Sequence, residues 1–175
     1  MSTPVNQPFL STELITRNIY HSSQYSHDKL HTDRLYPNHK KESRDFPGHH
    51  VCRVSVQRLC HGGWGGVIKS ALSTKNPRQE LKGFCTATVA VIVKHGFTLE
   101  TAAHPGNPFH AHIYIRELDL PYPSETAKVL DAGLKRRLDD MSEEFEFLYL
   151  QRLDDSTQVH YPSSLCKSCL NTSRD

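Results

Sequence analysis

His110 and His112 stand two residues apart in the segment His104-Pro-Gly-Asn-Pro-Phe-His110-Ala-His112-Ile-Tyr-Ile-Arg-Glu117. On a β-strand that spacing places both imidazoles on one face with Cα atoms about 6.5–7 Å apart. Neutral imidazoles so placed can share a Zn, Fe, Ni or Mn ion, or act as an acid–base pair. A metal site needs a third or fourth donor, and three residues are candidates: His104 in the preceding turn, Glu117 just after the strand, and His95 further upstream. A divalent metal held this way would activate water, the chemistry of a metal-dependent hydrolase or phosphodiesterase. The commoner use of such a pair is two solvent-facing or hydrogen-bonded strand histidines.

The spacing His110-x-His112-x-x-x-x-Glu117 overlaps the first metal motif of cupins. Cupins require further strands and a second histidine-bearing motif, whereas this chain turns at Pro121-Tyr-Pro123 toward a helical pattern. Amidohydrolases also carry a His-x-His strand, but their barrel needs on the order of 200 residues or more. Both assignments are disfavoured.

Weaker motifs lie elsewhere. Cys166-Lys-Ser-Cys169 has the spacing of half a zinc site, which Cys60-His61 would have to complete across space. His61-Gly-Gly-Trp-Gly-Gly66 predicts a turn anchored by Trp64. Lys69 and Ser70 follow Gly66 too late for a nucleotide-binding loop. Tyr20-His21-Ser22-Ser23, with His27 and His31 nearby, offers a nucleophile beside a base with nothing to orient them. Lys40, Lys41, Arg44, Arg53 and Arg58 could meet phosphates.

The elements that must position these groups follow from periodicity. Residues 13–20 fit a short strand or a helical turn, and residues 21–48 read as a polar loop anchored by Leu30, Leu35, Tyr36 and Phe46. Strands are predicted near 51–58, 84–94, 109–117 and 144–150. In the third, Phe109, Ala111, Ile113 and Ile115 face one way, and His110, His112, Tyr114 and Arg116 the other. Ala127, Leu130, Leu134, Leu138 and Met141 recur at helical spacing, giving a helix over 124–140 capped by Ser124. The expected fold is α+β: a small, mostly antiparallel sheet with one main C-terminal helix across a face. Residues 13–153 would form one domain, between a disordered tail at 1–12 and a polar flexible tail at 154–175.

Of 175 residues, 37% are apolar and 23% charged. No stretch approaches the about 20 apolar residues of a membrane span, and the first residues lack the blocks of a signal peptide. Five scattered cysteines suggest free thiols in a reducing compartment, hence a cytoplasmic protein with no membrane association. Net charge is +2, yet residues 1–116 carry 14 Lys+Arg against 7 Asp+Glu and residues 117–175 carry 7 against 12. The resulting +7 and −5 mark either a nucleic-acid-facing half or an acidic helix against a basic sheet.

Three segments, Ile15-Thr-Arg-Asn-Ile-Tyr20, Arg53-Val-Ser-Val-Gln-Arg58 and Pro108-Phe-His-Ala-His-Ile113, resemble a loose group of small bacterial proteins of unknown function. That group carries a Ser-Val-x-Arg segment and a His-Ala-x-Ile segment at similar places. The resemblance implies one domain and a bacterial cytoplasm, and supplies no reaction. Two function classes follow: a binding or accessory protein whose basic surface meets a protein or nucleic-acid partner, and the metal-dependent hydrolase that His110 and His112 would serve.

Overall fold

A computed structural model describes residues 7–26, 29–74, 78–126, 129–153 and 156–159. Among the described residues, nine strands form one sheet: β1 (Leu14–Ile19), β2 (Tyr25–Ser26), β3 (Lys29–Leu30), β4 (Arg53–Arg58), β5 (Gly83–Thr88), β6 (Thr98–Thr101), β7 (His110–Tyr114), β8 (Glu146–Leu153) and β9 (Ser156–Val159). Their order is β2-β3-β8-β5-β1-β4-β7-β6, with β9 on β8. Every pairing is antiparallel. Accompanying the sheet are the α-helices α1 (Leu59–Thr74), α2 (Val89–Lys94) and α3 (Ala132–Glu143). The fold class is α+β.

Strand register sorts the side chains into two faces, because residues directly opposite in an antiparallel pair point the same way. Ile15 opposes Ala87, Cys85 opposes Phe147, Val54 opposes Ile113 and Val56 opposes Ala111. These apolar residues join Val89 and Ile92 of α2 and Leu134, Leu138 and Met141 of α3 in the larger core. On the other face Phe84 and Leu148 are opposed, and with Leu14 they pack under Trp64, Val67 and Ala71 of α1. The rest of that second face is polar: Thr16 opposes Gln57, Gln57 opposes His110, and Ser55 opposes His112.

Several expectations are corrected. The glycine-rich run does turn at Gly63, whose φ of 56° and ψ of 179° suit glycine, but the residues on either side of that kink are helical and belong to α1. Trp64, Val67 and Ala71 supply the buried stripe that keeps it helical. The segment 84–94 is a strand only to Thr88. β1 has no residue left to pair beyond Leu14↔Thr88, and the N–H groups of Val89 and Ala90 donate instead to Glu13 O and Ser11 O as α2 begins.

The predicted helix over 124–140 starts at Ala132. Asp131 caps it by accepting from Gly133 N and Leu134 N, whereas the N–H of Ser124 donates to Nε2 of the buried His50. Within 154–175, residues 156–159 are strand β9, and the remainder lies outside the described residues. Residues 7–9 are likewise held: Arg58 donates to Gln7 O and Pro8 O and lies 4.1 Å over the Phe9 ring. Cys52 and Cys85 are free and buried, but Cys60 is disulfide-bonded, against the expectation of free thiols throughout. Among the described residues, no helix is long and apolar enough to cross a membrane.

Candidate functional site

The histidine pair sits where the alternation places it. His110 and His112 project from β7 onto the polar face, with ring centroids 4.7 Å apart, and the His104 ring lies 6.1 Å from that of His110. The turn between them is tight, since His104 and Asn107 exchange backbone hydrogen bonds. Part of the polar segment upstream folds beside this face. Phe46 stacks 3.9 Å under the Arg53 guanidinium, and Asp45 is an electrostatic neighbour of both imidazoles.

The other predicted metal donors are elsewhere. Glu117 is ion-paired with Arg137, and His95 Nε2 lies 2.6 Å from Glu144 Oε1. Those partners lie in and just beyond α3, which covers the opposite face of the sheet from His110 and His112. Among the described residues, no three His, Cys, Asp or Glu side chains converge on a metal position. The proposed Cys60-His61 contribution also fails: Cys60 is disulfide-bonded, and His61 Nε2 packs 3.1 Å from Arg58 Nη2. Cys166 and Cys169 lie outside the described residues, as does His27.

Burial lowers the His110 pKa to about 4, with the neighbouring His112 and His104 adding to the shift; desolvation lowers that of His112 as well. The sign for stability follows from proton linkage. Below about pH 6.5 the unfolded chain takes up a proton that the folded His110 ring refuses until the pH nears 4. Its contribution is therefore complete above pH 6.5 and declines as the pH falls through that window. The full shift corresponds to about 3 kcal/mol, and partial exposure of the ring reduces this to about 1–2 kcal/mol. Urea unfolding at pH 7.5 and 4.5 should show wild type losing that much more than His110→Phe. Equal losses would mean that the folded ring protonates freely.

His21 and Ser23 do meet, with Nδ1 and Oγ 2.8 Å apart. The contact is a local cap: Ser23 N donates to His21 Nδ1, while Gln24 Oε1 accepts from the N–H groups of Tyr20 and His21. Lys69 and Ser70 belong to α1 and line a cleft of about 650 Å³ against Pro105, Gly106, Pro108 and Phe109. Gly66 permits that approach, because a Cβ there would meet Phe109 Cε2 at 2.9 Å.

Two further clefts were not foreseen from sequence. One, of about 420 Å³, gathers His21, Ser23, Arg34, Arg78 and Lys82, with Glu80 as its one lining carboxylate. Lys82 is paired with Glu80, and Arg34 with Asp33 outside the lining. The other, of about 230 Å³, opens between β1 and β4 and is lined by Thr16, Arg17, Asn18, Ser55 and Gln57. Both clefts share Tyr20 and Gln24. The Arg17 guanidinium is desolvated, which lowers its pKa; the Cys85 thiol opposes that shift and the nearby positive charge of Arg34 adds to it.

The available signal for the second cleft was the alternation itself. Thr16 and Asn18, and Ser55 and Gln57, are polar at every second position of strands whose intervening positions include Ile15, Val54 and Val56. The basic cleft left no such signal, since Arg34, Arg78 and Lys82 come from three separate segments. No protein-family model matches this chain, and no curated protein or solved structure shows detectable similarity to it.

Proposed function

We propose that this protein is a binding protein whose basic groove takes the phosphate backbone of a single-stranded nucleic acid. The observation that carries the reading is the convergence of Arg34, Arg78 and Lys82 on one cleft beside Arg17. Guanidinium groups match phosphate geometry, and the surplus of positive charge over residues 1–116 favours approach of an anionic polymer. The bacterial and cytoplasmic setting belongs to the same reading, through the resemblance carried by the segments at 15–20, 53–58 and 108–113.

Salt dependence supplies the test. Three phosphate contacts on a single strand give a slope of log affinity against log salt of about −2, and removing two of them leaves about −0.7. The Arg34→Glu/Lys82→Glu variant should keep the wild-type melting temperature and bind a short single-stranded oligonucleotide at least about tenfold more weakly in dilute salt. Failure of the wild type to bind in dilute salt overturns the proposal. So does equally strong competition by polyglutamate, which would make the partner an acidic protein.

A further inference from the structure

β1 and β4 pair through only two residue pairs, Ile15↔Arg58 and Thr16↔Gln57, before they diverge. Beyond that point Arg17 Nη1 ties the strands by donating to Ser55 O at 2.9 Å. The opening is the cleft of about 230 Å³, far more than a single water occupies.

Its walls are polar and under-satisfied. Among the described residues, six buried side-chain atoms have no hydrogen-bond partner, and four belong to residues that line this cleft: Thr16 Oγ1, Asn18 Oδ1 and Gln57 Oε1 from the polar face, and Nε of Arg17, which alternates to the other face and turns back to the seam to bond Ser55 O. Thr16 is fully buried and Gln57 is 5% exposed. Buried polar atoms are nearly always paired in native proteins, by protein, solvent or ligand, so the orphans around this cleft are free to pair with the polar edge of a ligand that enters it.

The surrounding bonds fix what each atom can do. The Tyr20 hydroxyl spends its proton on Ala71 O, so Asn18 must offer Nδ2 to that hydroxyl, which leaves Oδ1 as an acceptor. Gln57 turns Nε2 toward Ser70 Oγ at 3.5 Å, leaving Oε1 as the second acceptor. Arg17 Nε can only donate, and the Thr16 hydroxyl can do either. A complementary ligand edge therefore carries N–H donors beside an acceptor. Cytosine, adenine and guanine each present an exocyclic amine next to a ring nitrogen or carbonyl, whereas uracil offers one N–H between two carbonyls.

We propose that the seam between β1 and β4 is a nucleobase pocket selective for amine-bearing bases, placed so that the attached phosphates lie in the adjoining basic groove. The inference rests on the nucleic-acid reading of that groove, and the continuity of the two clefts through Tyr20 and Gln24 joins them.

Cytosine and uracil are matched in size, so short single strands of cytidine, of uridine and of abasic sugar-phosphate separate the two proposals. The full-length protein should bind the cytidine strand about tenfold or more tighter than the other two. Thr16→Val and Gln57→Leu should each erase that preference without changing the salt dependence. Thr16→Val should not lower the melting temperature, because it removes a polar atom that has no partner, whereas Gln57→Leu also gives up the long contact of Nε2 with Ser70 Oγ and should lower it only slightly. Equal affinity for all three strands, with steep salt dependence, overturns the base pocket and leaves the phosphate groove standing. Binding of none of them overturns both. A marked loss of stability in Thr16→Val would assign that hydroxyl an internal partner and also defeat the pocket.

Discussion

Glu13→Ala should lower the unfolding free energy by about 3–5 kcal/mol, the cost of leaving a buried charge without its partner. Arg58 is fully buried, and its guanidinium meets Glu13 through two parallel hydrogen bonds, Nε to Oε1 at 2.7 Å and Nη2 to Oε2 at 2.9 Å. Its other contacts are with Gln7 O, Pro8 O and His61 Nε2. Water cannot replace the carboxylate in that site, so the loss appears in full. Replacing both partners, as in Glu13→Leu/Arg58→Met, should cost far less, because well-packed apolar groups often match or exceed a buried ion pair. A double-mutant cycle in urea separates the pair from the packing around it. A single-variant loss under about 1 kcal/mol would show that solvent reaches Arg58.

Gly83→Ala is the second severe change. A Cβ at Gly83 would sit 2.1 Å from the backbone oxygen of Leu148 and 3.0 Å from Phe147 Cζ. Both neighbours belong to β8, which pairs with β5 along this stretch, and a backbone oxygen cannot swing aside as a side chain can. The two strands must part. The expected loss is at least about 3 kcal/mol, at the upper end of overpacking effects. It should be accompanied by faster amide exchange along residues 83–88. Gly65→Ala is the control: a Cβ there meets nothing within 4 Å, and helix propensity favours the change by about 0.5–1 kcal/mol. Comparable melting temperatures for Gly83→Ala and wild type would rule out the close strand contact.

What could be read in the sequence was whatever one buried face imposes on a single segment. The alternation over 109–115 predicts β7 because Ala111 and Ile113 enter the core while His110 and His112 do not. The aromatic alternation at Phe145 and Phe147 predicts β8 for the same reason. Val89-Ala-Val-Ile-Val93 misleads because its β-branched composition favours a strand, while the end of β1 at Leu14 removes the partner a strand would need. The glycines of α1 hide a helix held by tertiary packing of Trp64, Val67 and Ala71. The metal set fails for a related reason. Spacing along β7 fixes His110 against His112, but says nothing about which side of the sheet receives Glu117 or His95. The seam cleft draws on residues about 40 positions apart, and only the register of β1 on β4 brings them together.

The interior position of β1 also dictates an order of events during synthesis. Thr88, the partner of Leu14, follows it only after some 74 further residues, and Arg58 of β4, which pairs with Ile15 on the other edge, follows after about 43. At about 5–20 residues per second the β5 edge of that strand stays open for roughly 4–15 s. Throughout that interval Leu14, Ile15 and Ile19, all buried in the finished sheet, are apolar surface on a growing chain. An interior strand thus acquires its two neighbours in turn, β4 first and β5 later, and its apolar residues need shielding while the rest of the sheet is still being made.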